Sequence, residues 1–153
     1  MMTRKPLIFT AVMAALVAGG AIASAASPAE TIAARQANFK KMGGAMKVLK
    51  DELAGGADKA RMLTAARTIA ATARVQQGQF PAGTGPASGV KTDALPAIWS
   101  QRPAFDAAAA KLVAEADKLA GVAGSGSNAA VLAQFKAVGG SCAACHRQFR
   151  ADE

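Results

Sequence analysis

An all-α protein, an antiparallel four-helix bundle, is what the sequence predicts, on three observations. Four stretches carry apolar residues at alternating spacings of three and four, the period of a helix with one buried face. No stretch alternates apolar and polar residues as a half-buried strand would. Between the second and third stretches, residues 78–96 are broken by Gly78, Pro81, Gly83, Gly85, Pro86, Gly89 and Pro96, which makes one long crossover among shorter connections.

The chain opens with Arg4 and Lys5, an apolar run from Leu7 to Ala18, and small residues from Gly19 to Ala26. This is the three-part pattern of a secretory signal peptide, residues 1–26, cleaved after Ala25 or Ala26. Its apolar core is short for a spanning helix, and no membrane insertion is expected of the remaining chain. Residues 27–153 are the size of one domain with a single core. Loss of Arg4 and Lys5 lowers the formal charge of +8 to about +6, a balance that attracts acidic partners. Nucleic acid is not indicated, because the Lys and Arg are spread along helical faces, no Tyr is present and no binding motif occurs.

Ser27-Pro28-Ala29-Glu30 reads as a capping box, so a first helix begins there. Ile32, Arg35, Phe39, Met42, Met46, Leu49 and Leu53 fall on one seam of it, until Gly55-Gly56 stops the run. Arg35 is the exception on that seam: it either meets an anion or snorkels outward from the boundary. The second helix runs from about Asp58 to Gln77, with Met62, Ala66, Ile69, Ala70 and Ala73 on one face and Arg61, Arg67 and Arg74 on others. Its alanines favour helix and allow a close neighbour, a second subunit included. In the crossover, Phe80, Leu95, Ile98 and Trp99 supply apolar groups; Trp99 reads first as core filling and second as a cofactor contact. A third helix starts near Pro103, repeats Phe105, Ala109, Leu112, Ala116 and Leu119, and ends at Gly121. After Gly124-Ser125-Gly126-Ser127, Asn128 is the expected cap of a fourth helix whose seam is Val131, Phe135, Val138, Cys142, Cys145 and Phe149.

That last seam holds both cysteines, and the only histidine follows directly, in Cys142-Ala143-Ala144-Cys145-His146. Cys-x-x-Cys-His is the attachment signature of c-type haem: two thiols three residues apart on a helix each add to a vinyl group, and the adjacent imidazole reaches the iron. Structural zinc wants four ligands where the chain has three Cys and His in total, and a thioredoxin-like disulfide wants a βαβ context that is missing. A plain disulfide over three residues would close too short a loop to stabilise much. Covalent haem attachment belongs to the oxidising side of a bacterial inner membrane, so motif and signal peptide agree on the periplasm. Beyond this motif the sequence carries no acid–base or nucleophile constellation, and no conventional enzyme is expected.

The Cys-Ala-Ala-Cys-His motif near the C-terminus, Val138-Gly139-Gly140-Ser141 before it, Phe149-Arg150 after it, Phe80-Pro81, Leu95-Pro96-Ala97-Ile98-Trp99 and Arg35-Gln36 together resemble cytochrome c′, the class II c-type cytochromes. The resemblance implies one covalent haem c, thioethers to Cys142 and Cys145, and His146 as axial ligand of a five-coordinate, high-spin iron. It further implies Arg35 and Gln36 beside the propionates, Arg150 near the proximal face, Phe39 over the distal side, and a homodimer formed through the first two helices. Low-spin relatives carry Met at about the place of Phe39. A phenyl ring cannot coordinate iron, so Phe39 points to a covered pocket for small uncharged gases, NO and CO, with one-electron transfer as a capability. The alternative is an electron carrier for a redox partner, with Met42 or Met46 as sixth ligand. Met42 lies one turn along the seam, and a helix shifted by about 5.4 Å would bring it over the iron; core packing is the simpler role for both methionines.

Overall fold

A computed structural model describes residues 26–151, so the expected signal peptide, but for Ala26, lies outside the described residues. Four long helices appear where the apolar periods put them: α1 Pro28–Asp51, α2 Lys59–Val75, α4 Arg102–Ala123 and α5 Asn128–Phe149, with the single-turn α3 Ala97–Ser100 in the crossover. The capping box opens α1, Ser27 N donating to Glu30 Oε2 at 2.7 Å and Glu30 N to Ser27 Oγ at 3.2 Å. Its C-terminal end widens into a π-helical turn, Glu52–Gly56, closed by Ala57 in the left-handed region at φ 52°. Glu52 is buried there, accepting from Arg61 Nε at 2.9 Å and from Asp58 N at 3.2 Å.

One expected cap is corrected. Ser127, not Asn128, caps α5: its Oγ accepts from Ala130 N at 3.2 Å, and Asn128 is the first helical residue. Both residue types cap well, and their adjacency leaves the choice to the backbone.

Consecutive long helices pack on one another, α1 on α2, α2 on α4 and α4 on α5. Cross-links set the directions. Leu63 near the start of α2 lies against Gly124 beyond the end of α4, while Arg102 at the start of α4 donates to Gln77 O and Phe80 O just after α2. Gln134 donates to Glu115 O at 3.1 Å and Gln148 to Gln101 Oε1 at 3.1 Å, a second antiparallel pair. The bundle is antiparallel throughout, as expected.

The seams form two buried clusters. The larger joins Met42, Leu49, Met62, Ile69, Leu112, Leu119, Val131 and Val138. The smaller is mostly aromatic: Phe80, Ile98, Phe105 and Phe149, with Phe39 and Trp99 against it. Phe105 stands edge-on to Phe80 and to Phe149, with centroids 4.9 and 5.4 Å apart. A cavity lies where the two clusters meet, bounded by α1, α4, α5, the end of α2 and the crossover.

The crossover is tied down along its length. Leu95 N donates to Phe149 O and Ala151 N to Asp93 O, a short antiparallel contact with the end of α5. Trp99 donates from Nε1 to Pro81 O at 3.0 Å, and its ring lies so close to Gly85 that a Cβ there would come within 2.9 Å of it. Trp99 therefore clamps the crossover from behind. It does not itself line the cavity, but its ring packs on Phe80, which does, with centroids 6.4 Å apart.

Candidate functional site

The cavity measures about 460 Å³, within the range of sites that enclose a small molecule or cofactor. Its walls are largely apolar: Phe39, Met42 and Met46 from α1, Phe80 and Ile98 from the crossover, and Phe105, Ala109 and Leu112 from α4. Cys142, Cys145 and His146 come to it together on the last two turns of α5, since residues three and four apart share one face of a helix.

Burial acts on all three. It pushes both thiols above the ordinary cysteine value, and for Cys145 the neighbouring Cys142 adds to the effect. It pushes the His146 imidazole down, and the positive charge of Arg150 lowers it further. A neutral imidazole has the free lone pair that a metal requires.

Opposite α5 stands α1. The Phe39 ring faces the His146 ring with centroids 6.4 Å apart and planes at 62°, and it meets Phe80 edge-on at 6.4 Å. Arg35, one turn before Phe39, is only 2% exposed, which overturns the snorkelling alternative. Its Nη1 donates to Thr84 Oγ1 at 3.0 Å, its Nη2 to Thr92 Oγ1 at 2.6 Å, and its guanidinium lies 4.7 Å from the centroid of the Phe80 ring. Burial lowers its pKa, and none of the ion pairs among the described residues includes it. A buried cation paired only with hydroxyls and a ring, in the wall of a cavity, leaves its charge available to an anion inside that cavity. Gln36 donates to Lys91 O at 3.2 Å from the cavity's edge. Arg150 lines the cavity, its backbone N bonded to His146 O at 3.0 Å and its guanidinium 3.7 Å from Asp93 Oδ2.

An apolar cavity with two thiols and an imidazole on one wall and an unmatched buried cation on another fits an apolar macrocycle that carries iron and carboxylates. Among the described residues no group of three or more His, Cys, Asp and Glu could hold a bare metal ion instead.

The structure thus brings together Arg35, Gln36, Phe39, Met42, Cys142, Cys145, His146 and Arg150, and leaves out Trp99. Sequence reasoning missed Thr84 and Thr92, which hold Arg35, and Gln76, which lines the cavity. Gln76 was readable: it continues the α2 seam of Met62, Ala66, Ile69 and Ala73 at the next helical step, a polar residue in an apolar register.

Comparison with known proteins bears on the same residues. The family model described as Cytochrome C′ matches residues 30–150. Cytochrome c′ of Rhodospirillum rubrum is 36% identical over 152 residues, 97% of this chain and 99% of that one. Cytochrome c-556 of Agrobacterium tumefaciens strain B2A is 38% identical over 121 residues, 76% of this chain and 93% of that one. Among solved structures, a cytochrome c′ described by an unusual ligand-controlled dimer dissociation superposes with a TM-score of 0.80 at 34% identity, covering 84% of this chain and all of that one. The nitric oxide complex of a point mutant of cytochrome c prime from Alcaligenes xylosoxidans superposes at 0.74 with 26% identity, covering 83% and 98%. With a family model spanning the bundle from the first turn of α1 to the residue after α5, this chain belongs to the cytochrome c′ family, whose cofactor is a covalently attached haem c.

Proposed function

We propose that this chain is a periplasmic haem protein that binds NO and CO at a five-coordinate, high-spin iron, with NO buffering as its purpose and one-electron transfer as a capability. The haem, when bound, supplies an iron that takes a diatomic ligand or an electron. Cys142 and Cys145 hold it by thioether bonds, and His146 ligates its iron through the neutral imidazole that burial favours. Arg35 receives a propionate, Gln36 borders that edge, and Arg150 stands beside His146. The bundle of residues 27–153 is the mature domain, and residues 1–26 export it.

The observation that carries the reading is Phe39, the α1 side chain whose ring faces His146. It offers no lone pair to a metal, and an apolar cover admits small uncharged ligands in preference to water or anions. The nitric oxide complex of the Alcaligenes xylosoxidans protein supports the same ligand class. The relative whose dimer dissociates under ligand control supports a homodimer, and the contact proposed for it here is made by α1 and α2. Two of the three arginines of α2 do not oppose such a contact by unpaired charge, since Arg61 pairs with Glu52 and Arg74 with Asp117. Exposed Lys40 in the cavity rim suits an acidic redox partner.

The second reading, an electron carrier, rests on Met42 and Met46, which also line the cavity. Optical spectra of the purified holoprotein, ferric and ferrous, with and without CO, separate the two. A high-spin spectrum that shifts with CO is expected, unchanged in Met42→Ala before CO is added. A low-spin spectrum without CO response, turning high-spin in Met42→Ala, would replace gas binding by electron transfer.

A further inference from the structure

Gln76 is a polar side chain of the cavity wall to which the assignments above give no role. It is 3% exposed, it lines the cavity, and neither its Nε2 nor its Oε1 has a hydrogen-bond partner. A buried carboxamide unmatched at both ends is costly, and an apolar residue at this seam position would avoid that cost. The polar neighbours of Gln76 along that wall are already engaged, Arg35 by Thr84 and Thr92 and Gln36 by Lys91 O.

Its place in the wall follows from the packing. The helix that ends at Gln76, α2, packs on α1 and α4, while α5 with His146 packs on α4 from the other side, so Gln76 belongs to the side of the cavity away from His146. Asn38 Nδ2 donates to Thr72 O at 3.0 Å, which sets the α1–α2 register. One turn along α2 from Thr72 corresponds to one turn back along antiparallel α1, the level of Arg35. Helical side chains lean toward their own N-terminus, which for Gln76 is toward the level of Phe39.

We infer that Gln76 is the hydrogen-bonding partner of the diatomic ligand held on the Phe39 side of the cavity, and a determinant of which gas is retained there. Phe39 covers the pocket without distinguishing one small apolar gas from another. An amide N–H distinguishes them, because it stabilises a ligand in proportion to the negative charge on its outer atom. This inference rests on the gas-binding reading and names the residue that gives that site its selectivity.

The test is the infrared C–O stretch of the ferrous CO adduct in wild-type protein and in Gln76→Leu. Loss of a donor to the ligand moves the band to higher frequency, and NO dissociates about 2- to 10-fold faster, the range of one neutral hydrogen bond. The wild-type adduct, transferred from H2O to D2O, shows an isotope shift of the same band, which needs no variant to fold. A band that moves neither in Gln76→Leu nor in D2O overturns the inference. So does a fixed band with a displaced reduction potential, which would assign the amide to a propionate. A haem-loaded wild type that takes up no CO refutes the gas-binding reading itself.

Discussion

Replacing Arg35 by Met tests whether one buried cation holds the crossover against the bundle. Arg35 Nη1 and Nη2 bond the hydroxyls of Thr84 and Thr92, 49 and 57 residues away, and the guanidinium lies on Phe80. Hydrogen bonds from a charged donor contribute about 1.5–3 kcal/mol each, so the two come to about 3–6 kcal/mol. Two effects reduce the loss. Relief of the buried charge returns several kcal/mol, of which the propionate left without its partner takes back a part, and neither hydroxyl is orphaned, because Thr84 still donates to Pro81 O and Thr92 still accepts from Ala94 N. A net loss of about 1–3 kcal/mol is expected in urea unfolding of the holoprotein. The location is as diagnostic as the size: amide exchange accelerates over residues 82–94 and stays slow in the middle of α4 and α5. Arg35→Lys keeps a charge but not the planar fork that reaches both hydroxyls, so it recovers only part of the protection. Stability within about 0.5 kcal/mol of wild type, with unchanged exchange over residues 82–94, would refute the reasoning, since the crossover would then be held by its other contacts alone.

Phe39→Ala removes the ring between Phe80 and His146; CO association accelerates by roughly tenfold, equivalent to about 1.4 kcal/mol off the entry barrier, and unchanged stopped-flow rates would deny Phe39 its covering role. The same variant loses about 1–3 kcal/mol of stability, less than a fully buried Phe because Phe39 is half-buried. Replacing both Cys142 and Cys145 by Ser removes the haem that otherwise stays with the chain through denaturing electrophoresis, while either replacement alone leaves one thioether in place. Haem staining of the double variant would break the assignment of those two residues.

The sequence by itself determined the helices and the chemistry they present, because both depend on residues a few positions apart. The capping box at Ser27, the seams of α1, α2, α4 and α5, and the Cys142–Cys145–His146 spacing each act within a turn or two, where 3.6-residue geometry decides which side chains share a face. Even there, the choice between neighbouring caps Ser127 and Asn128 waited on backbone direction.

Tertiary structure decided what lies around the cavity. That Arg35 is buried rather than snorkelling depends on Thr84, Thr92 and Phe80, none of them near it in the chain. Trp99 goes to the back of the crossover because Gly85 gives its ring a surface and Pro81 O accepts its proton, contacts that no helical period encodes. The α2 period placed Gln76 on a buried face, but only the meeting of α1, α2, α4 and α5 brought that residue to the cavity wall and left its amide without a partner. Short-range spacing fixes which face of a helix is apolar; which remote groups meet it is fixed by the packing of whole helices and by the path of the connection between them.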